Sequence, residues 1–236
     1  MRRFPALLLL ASLAYGSTAT FDQYIQTVED EMSKHRGFED FLWLDHHPDQ
    51  KSVVWLGQSV VVPVTNVPDG AIQHWLGAVY VEGVALEPVR NVILNFDAYK
   101  DTFKVQVIES KLIKRVGEQF DFQLRLYKKQ ISAVRLNVDE TAKYTLVDPG
   151  RIMVASHSTH IGEAKQGESE YLQRLNFYWR LERADNGVYA ELEVISQGQE
   201  AGAFSPGRYL KGFQNFPREL TQGMIDGLRA AFPRRH

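Results

Sequence analysis

The sequence contains no cysteine. This absence excludes disulfide bonds, thiolate metal sites, iron–sulfur clusters and cysteine nucleophiles. Basic charge is not in excess either, since 27 Lys and Arg stand against 29 Asp and Glu and the net charge is −2. Nucleic-acid-binding domains usually carry a strongly basic surface. The composition therefore argues against a nucleic-acid partner.

Long apolar runs are also lacking, and the most apolar stretch, Ala6–Leu13, lies close to the N-terminus. It follows Arg2 and Arg3 and is shorter than the about 20 residues that a membrane span needs. A positive start, a short apolar run and small residues form the pattern of a secretory signal peptide. We therefore expect residues 1–19 to be cleaved, the mature chain to carry a net charge of −4 from 25 basic and 29 acidic residues, and the protein to be periplasmic or secreted without a stable membrane span. The small residues that complete the pattern are Gly16, Ser17 and Ala19.

Residues 20–70 are predicted to form an N-terminal helix and an irregular extension. Thr20 can cap a helix over residues 20–36, in which apolar side chains recur at helical spacing. The stretch Phe38–Gln50 is expected to be a loop, and a short strand is expected within Gln58–Val62. The apolar side chains of the helix are Phe21, Ile25, Val28 and Met32.

From Ala71 onward the pattern is that of an antiparallel sheet followed by a helix. The aromatic and β-branched stretch Ala71–Val81 predicts a strand, and Pro88 lies near the start of a short helix. Asn186-Gly187 predicts a tight hairpin between the last two strands. The remaining strands are predicted at Lys104–Leu112, Phe120–Leu126, Val134–Val138, Ile152–Ile161, Leu172–Glu182 and Val188–Ser196.

The chain is predicted to end with an amphipathic helix over residues 216–232. Because apolar and polar residues alternate along the strands, each strand has one apolar and one polar face. This helix is expected to cover the apolar face of the sheet, while the polar face stays exposed to solvent. The expected fold is α+β, with a curved antiparallel sheet of about seven strands around the C-terminal helix, in a domain over residues 71–232. The apolar stripe of the helix consists of Leu220, Met224, Leu228 and Phe232.

Four segments resemble the START-like (SRPBCC, helix-grip) superfamily, which includes lipid-transfer START domains, the birch-pollen allergen family and polyketide cyclases. They are Val79–Val84, Asn95–Tyr99, Leu175–Ser196 and Pro217–Leu220, the last of which is similar to exported bacterial members. The resemblance covers residues 71–232 and implies a cavity between the sheet and the C-terminal helix that holds a mostly apolar ligand.

Nine side chains are expected to line that cavity. The aromatic strand and the helix stripe would serve equally as core packing and as cavity wall. Residues three apart on a regular strand point to opposite faces, so one of His157 and His160 is expected to face inward, although the pattern does not decide which. The nine are His74, Tyr80, Phe122, His157, His160, Tyr178, Trp179, Met224 and Leu228.

No pattern in the chain predicts a metal or a cofactor. The cluster Asp45-His46-His47-Pro48-Asp49 lacks a third ligand at standard spacing, so a solvated loop is favoured over a zinc site. There is no nucleophile elbow, P-loop or dinucleotide fingerprint, and no catalytic residue is assigned.

Three functions remain open. The favoured one is an exported, non-catalytic protein that binds or transfers a hydrophobic small molecule, most readily a lipid. The second is an enzyme of the cyclase or hydratase kind with a cavity histidine as general base. The third is an interaction module with a filled cavity, in which residues 20–70 contact a protein partner that the sequence does not identify.

Overall fold

The structure of the protein, a computed structural model, describes residues 8–35, 40–68, 71–104, 106–128, 134–163, 167–168, 172–198 and 215–233. Arg2 and Arg3, the positive start of the predicted signal peptide, lie outside these residues. The helices are α1 (Leu8–Lys34), α2 (Pro48–Trp55), α3 (Leu86–Leu94), α4 (Tyr99–Thr102) and α5 (Phe216–Ala231), with 3-10 turns at Trp43–His46 and Phe96–Ala98. The strands are β1 (Val60–Pro63), β2 (Ile72–Glu82), β3 (Val107–Val116), β4 (Gln119–Lys128), β5 (Val134–Asp148), β6 (Arg151–Glu163), β7 (Gly167–Glu168), β8 (Leu172–Ala184) and β9 (Gly187–Gly198).

The strands of the described residues form one antiparallel sheet, in the order β1-β2-β9-β8-β6-β5-β4-β3, with β7 pairing with β6. Strands β8 and β9 form the hairpin predicted at Asn186-Gly187, and Gly187 there has a φ of +156°. Connecting helices α3 and α4 lie between β2 and β3, and α5 follows the last strand. The predicted α+β helix-grip fold is confirmed.

One face of the sheet, which we call the inner face, packs against α3, α4 and α5. Alternate residues of β2 to β6, β8 and β9 point to it, as the sequence predicts, and they form the largest apolar core together with the helix stripes. Helix α5 lies close to β2 because Gly77 has no side chain. A Cβ placed there would stand 2.6 Å from Ile225 Cγ1 and 2.8 Å from Thr221 Cγ2.

The opposite face, which we call the outer face, was predicted to be wet, and for half of the sheet this prediction was wrong. Every residue of Gly187–Gln197 is buried, including those that point away from the inner core. Helix α1 packs Phe21 and Met32 against this face, and the segment from Phe41 to β1 covers the part beside it. The polar residues on these strands suggested a solvated surface because local periodicity does not reveal a covering element from elsewhere in the chain.

The segment Phe38–Gln50, predicted to be a loop, also differs from expectation. It includes the 3-10 turn at Trp43–His46 and the start of α2, whose first residue is Pro48. Proline is well suited to the first turn of a helix because its missing N–H would have no partner there. The predicted short strand is present as β1 and pairs with β2.

Candidate functional site

Four of the nine predicted side chains lie on the inner face. Phe122 and Trp179 come from β4 and β8, whereas Met224 and Leu228 come from α5, and all four are at most 2% exposed. The Phe122 ring stacks on Phe96, with ring centroids 4.1 Å apart. These residues form an apolar, aromatic interior between the sheet and the helix, and their contact with a ligand remains a prediction.

His74 and Tyr80 do not line this interior. Both point to the outer face, since even-numbered residues of β2 face α1 and α2. His74 Nε2 lies 2.6 Å from Glu193 Oε2, and its Nδ1 lies 2.9 Å from the Tyr24 hydroxyl of α1. The ring of Tyr80 packs on that of Tyr189, with centroids 4.8 Å apart. The predicted inner position of these two residues is therefore corrected.

Tyr178 likewise belongs to the outer face, on the strand that carries Trp179 inward. Its hydroxyl donates to Glu29 Oε1 of α1 over 2.9 Å, and Asn176 Nδ2 donates to the same hydroxyl over 3.3 Å. Burial raises the pKa of Tyr178, and the neighbouring charge of Glu29 adds to the shift. The aromatic strand β8 was predicted correctly, but its alternate residues pack into two different apolar cores, one on each face of the sheet.

The two histidines of β6 both lie on the outer face, contrary to the expectation that one would point inward. Asp139 pairs with His160 and Glu140 pairs with Ser158, so Thr159 is an extra residue in the strand. Such a bulge resets the alternation by one residue. His157, which precedes the bulge, lies with its Nε2 2.6 Å from Glu29 Oε1, and the bulge turns His160 to the same face, where it is exposed.

The inner face does hold a carboxyl group that the sequence analysis overlooked. Glu140 of β5 is 1% exposed and lies among apolar residues of the inner core. Ser156 Oγ donates to its Oε2, whereas its Oε1 has no hydrogen-bond partner among the described residues. The alternation that places Leu136 and Val138 inward also places Glu140 inward, and this was the available signal.

Burial raises the pKa of Glu140 well above the ordinary value, although the Ser156 hydrogen bond acts in the other direction. Tyr99 is buried nearby, and its hydroxyl donates to the Ile93 carbonyl over 2.5 Å. Among the described residues no histidine lies on the inner face, so a cavity histidine as general base is ruled out for that region. A buried carboxyl with a raised pKa can instead donate a hydrogen bond or exchange a proton there.

A second buried polar cluster attaches the N-terminal segment to the outer face. Arg180 lies between Glu191 and Glu193, and its Nη1 donates to the Phe41 carbonyl over 3.1 Å. Glu191 accepts hydrogen bonds from two backbone N–H groups of the 3-10 turn, at 2.9 and 2.8 Å. Burial raises the pKa of Glu191 to about 7, while Arg180 and His74 overcome the effect of burial and lower that of Glu193. Because these groups bind one another, the cluster is structural.

The outer face of β3 to β6 is not covered by α1 or α2 and forms an open polar groove of about 700 Å³. His160 lies in it beside charged and amide side chains, which include Arg125, Asp139 and Glu163. Among the described residues, no group of three His, Asp or Glu side chains could hold a metal ion. The ring of His47, from the predicted loop cluster, stacks on that of Trp43, with ring centroids 3.7 Å apart.

No helix within the described ranges is long and apolar enough to cross a membrane. No family model matches the sequence, and no curated protein does.

Solved structures share the fold. A fragment of a STAR-related lipid transfer protein from Xanthomonas axonopodis is 16% identical with a TM-score of 0.58, covering 75% of this chain and 94% of its own. The Zhui aromatase/cyclase from Streptomyces sp. R1128 is 9% identical with a TM-score of 0.53, covering 68% of this chain and 93% of its own. The protein therefore has the START-like (SRPBCC) fold that the sequence resembles.

Proposed function

We propose that the protein binds or transfers a hydrophobic small molecule, most readily a lipid, in the interior between the sheet and α5. The observation that carries this proposal is the inner face itself. Aromatic and aliphatic side chains from β4, β8 and α5 converge there around the buried carboxyl of Glu140. Ligand sites are typically apolar concavities with a few placed polar groups. No catalytic step is proposed.

The similar structures support the ligand class. One of them is described as a lipid transfer protein and another as an aromatase/cyclase. Since fold alone does not determine function, the ligand must be demonstrated on this chain.

Tryptophan quenching by a brominated lipid, either a fatty acid or the matching fatty alcohol, tests the proposal, because bromine quenches only at short range. Delipidated protein is titrated with the brominated lipid and compared with Trp179→Phe and Trp55→Phe variants. Trp179 is buried on the inner face, whereas Trp55 is 49% exposed and packs on the outer face. We expect saturable quenching that is largely lost in Trp179→Phe and retained in Trp55→Phe.

A different pattern would contradict the proposal. Quenching that depends on Trp55 would place the lipid outside the interior. Absence of saturable binding across fatty acids, sterols and phospholipids would favour the third function, an interaction module whose interior is filled by its own side chains.

We further propose that the protein is exported and that residues 1–19 are removed. The support is the sequence pattern of Arg2, Arg3 and the apolar run Ala6–Leu13. N-terminal sequencing of protein recovered outside the cytoplasm should begin at or beside Thr20. Recovery of the full chain from the cytoplasm alone would contradict export.

A further inference from the structure

We propose that Glu140 selects the ligand of this interior, and that the ligand is an apolar molecule with a neutral oxygen head, an alcohol or a ketone, in preference to an anionic lipid. This inference rests on the proposed function and adds the chemical class of the ligand. It also names the side chain that recognises the head.

The position of Glu140 points to a ligand. Its side chain projects from the middle of β5, between Val138 and Ala142, into the apolar core. It lies beside Phe122, its partner in the strand pairing with β4, and Tyr99 is buried near it. An apolar molecule lying along these rings would bring its head to the carboxyl.

The hydrogen bonding of Glu140 is incomplete. Ser156 satisfies Oε2, but Oε1 has no partner among the described residues. Buried polar groups in native proteins are nearly always paired, and each exception calls for an explanation. A carboxyl with an unpaired oxygen stabilises the core less than an apolar side chain of similar volume would, because burying an unpaired polar atom costs free energy.

The chemistry of the partner follows from the charge state. Burial raises the pKa of the carboxyl and so favours its uncharged form, and Asp139, of the same charge sign, adds to the shift. An uncharged carboxyl has one O–H, and because Ser156 already donates to Oε2, the O–H is available at Oε1. It would donate to a ketone or alcohol oxygen, and Oε1 could in turn accept from an alcohol. A carboxylate head would bring a negative charge into the apolar interior, which is costly.

The test compares four ligands with the same sixteen-carbon chain: the alcohol, the methyl ketone, the alkane and the fatty acid anion. Their affinities are measured by competition with a brominated sixteen-carbon alcohol on wild type, Glu140→Leu, Glu140→Gln and the control Glu87→Gln. Glu87 is exposed on α3 and faces away from the core. In wild type we expect the alcohol and ketone to bind about tenfold more tightly than the alkane. This is the ratio of affinities that the net free energy of one buried hydrogen bond would produce.

The variants separate hydrogen bonding from packing. Glu140→Leu should bind the alcohol no more tightly than the alkane, because the hydroxyl loses its carboxyl partner, whereas Glu140→Gln should keep most of the preference because an amide both donates and accepts. Glu87→Gln should behave as wild type. An alcohol preference that survives in Glu140→Leu, or equal binding of alcohol and alkane by wild type, would overturn the inference while leaving the proposed function intact.

A measurement on wild type alone protects the test against a variant that does not fold. The infrared C=O stretch of the bound, ¹³C-labelled ketone should shift to lower frequency than in liquid alkane if Oε1–H donates to it. An unshifted stretch with saturable binding refutes the role of Glu140. If none of the four ligands binds wild type, this inference fails, whereas the proposed function fails only if fatty acids, sterols and phospholipids also show no saturable binding.

Discussion

Glutamates of β8 and β9 show how strongly the same side chain responds to its position on the sheet. Glu191 and Glu193 are both buried beneath the N-terminal segment, yet burial raises the pKa of the first and neighbouring positive groups lower that of the second. Glu182 lies on the same face near Asp45 and Lys51, and burial raises its pKa to about 7. The face therefore contains carboxyls that favour opposite protonation states.

Glu182 is expected to make the protein less stable as pH rises. Its folded pKa of about 7 exceeds the unfolded value of 4.5, so the folded state binds more protons between these pH values. The free energy of unfolding therefore decreases as pH rises from 4.5 to about 7 and stays lowered above that. Glu182→Gln should reduce this decrease and stabilise the protein above pH about 7 by on the order of 1 kcal/mol.

Urea denaturation across this pH range measures the effect. The control is Glu118→Gln, since Glu118 is exposed in the turn between β3 and β4. Glu191 and Glu140 also have raised pKa values and should keep part of the pH dependence in the variant. An identical slope for Glu182→Gln and wild type would show that Glu182 is ionised in the folded protein.

The inner-face residues could be predicted because a period of two along a strand and a stripe along a helix each determine which way a side chain points. Phe122, Trp179 and Met224 follow this rule. Glu140 obeys the same rule and was overlooked because a carboxyl is not expected in a core. His160 could not be placed, since nothing in the local sequence signals the bulge at Thr159.

At the scale of elements, the contact of α5 with β2 depends on the glycine between them. A Cβ at Gly77 would stand within 3 Å of two side-chain carbons of α5, on Ile225 and Thr221. Gly77→Ala should therefore push the helix from the sheet and lower the free energy of unfolding by about 1–3 kcal/mol, the usual cost of overpacking.

Chemical denaturation of this variant is best compared with Gly150→Ala. At Gly150 the nearest atom to an added Cβ is 3.5 Å away, an ordinary contact distance. If the free energy of unfolding falls no more in Gly77→Ala than in Gly150→Ala, the prediction is wrong, and α5 can shift away from β2 without loss of stability.

The succession of elements in residues 71–232 could be read from periodicity, since each strand and helix carries its own local pattern. The covering of the outer face could not. Phe21 and Met32 identify α1 as amphipathic, but no local signal shows which surface receives its apolar stripe. That information lies in pairs distant in sequence, such as Tyr24 with His74 and Glu29 with His157.

At the scale of the whole molecule, these contacts suggest that residues 20–70 and 71–232 fold together. The sheet buries apolar side chains on both faces, and the outer ones are covered by the N-terminal segment alone in the described part of the chain. Burial of one large apolar side chain contributes about 1.5–3 kcal/mol, so loss of several would exceed the 5–15 kcal/mol stability of a typical domain.

A chain beginning at Ala71 is therefore expected to lack a cooperative fold, whereas one beginning at Thr20 should fold. Removal of the segment would expose apolar outer-face residues and leave Glu191 without its two backbone donors. Near-UV circular dichroism, light scattering and dye binding should show a loosely packed, self-associating product. A monomer with native near-UV spectrum and cooperative unfolding would show instead that 71–232 is an independent domain and that the extension is an accessory. The outer-face residues that lose their cover are Leu76, Tyr80, Tyr178 and Ile195.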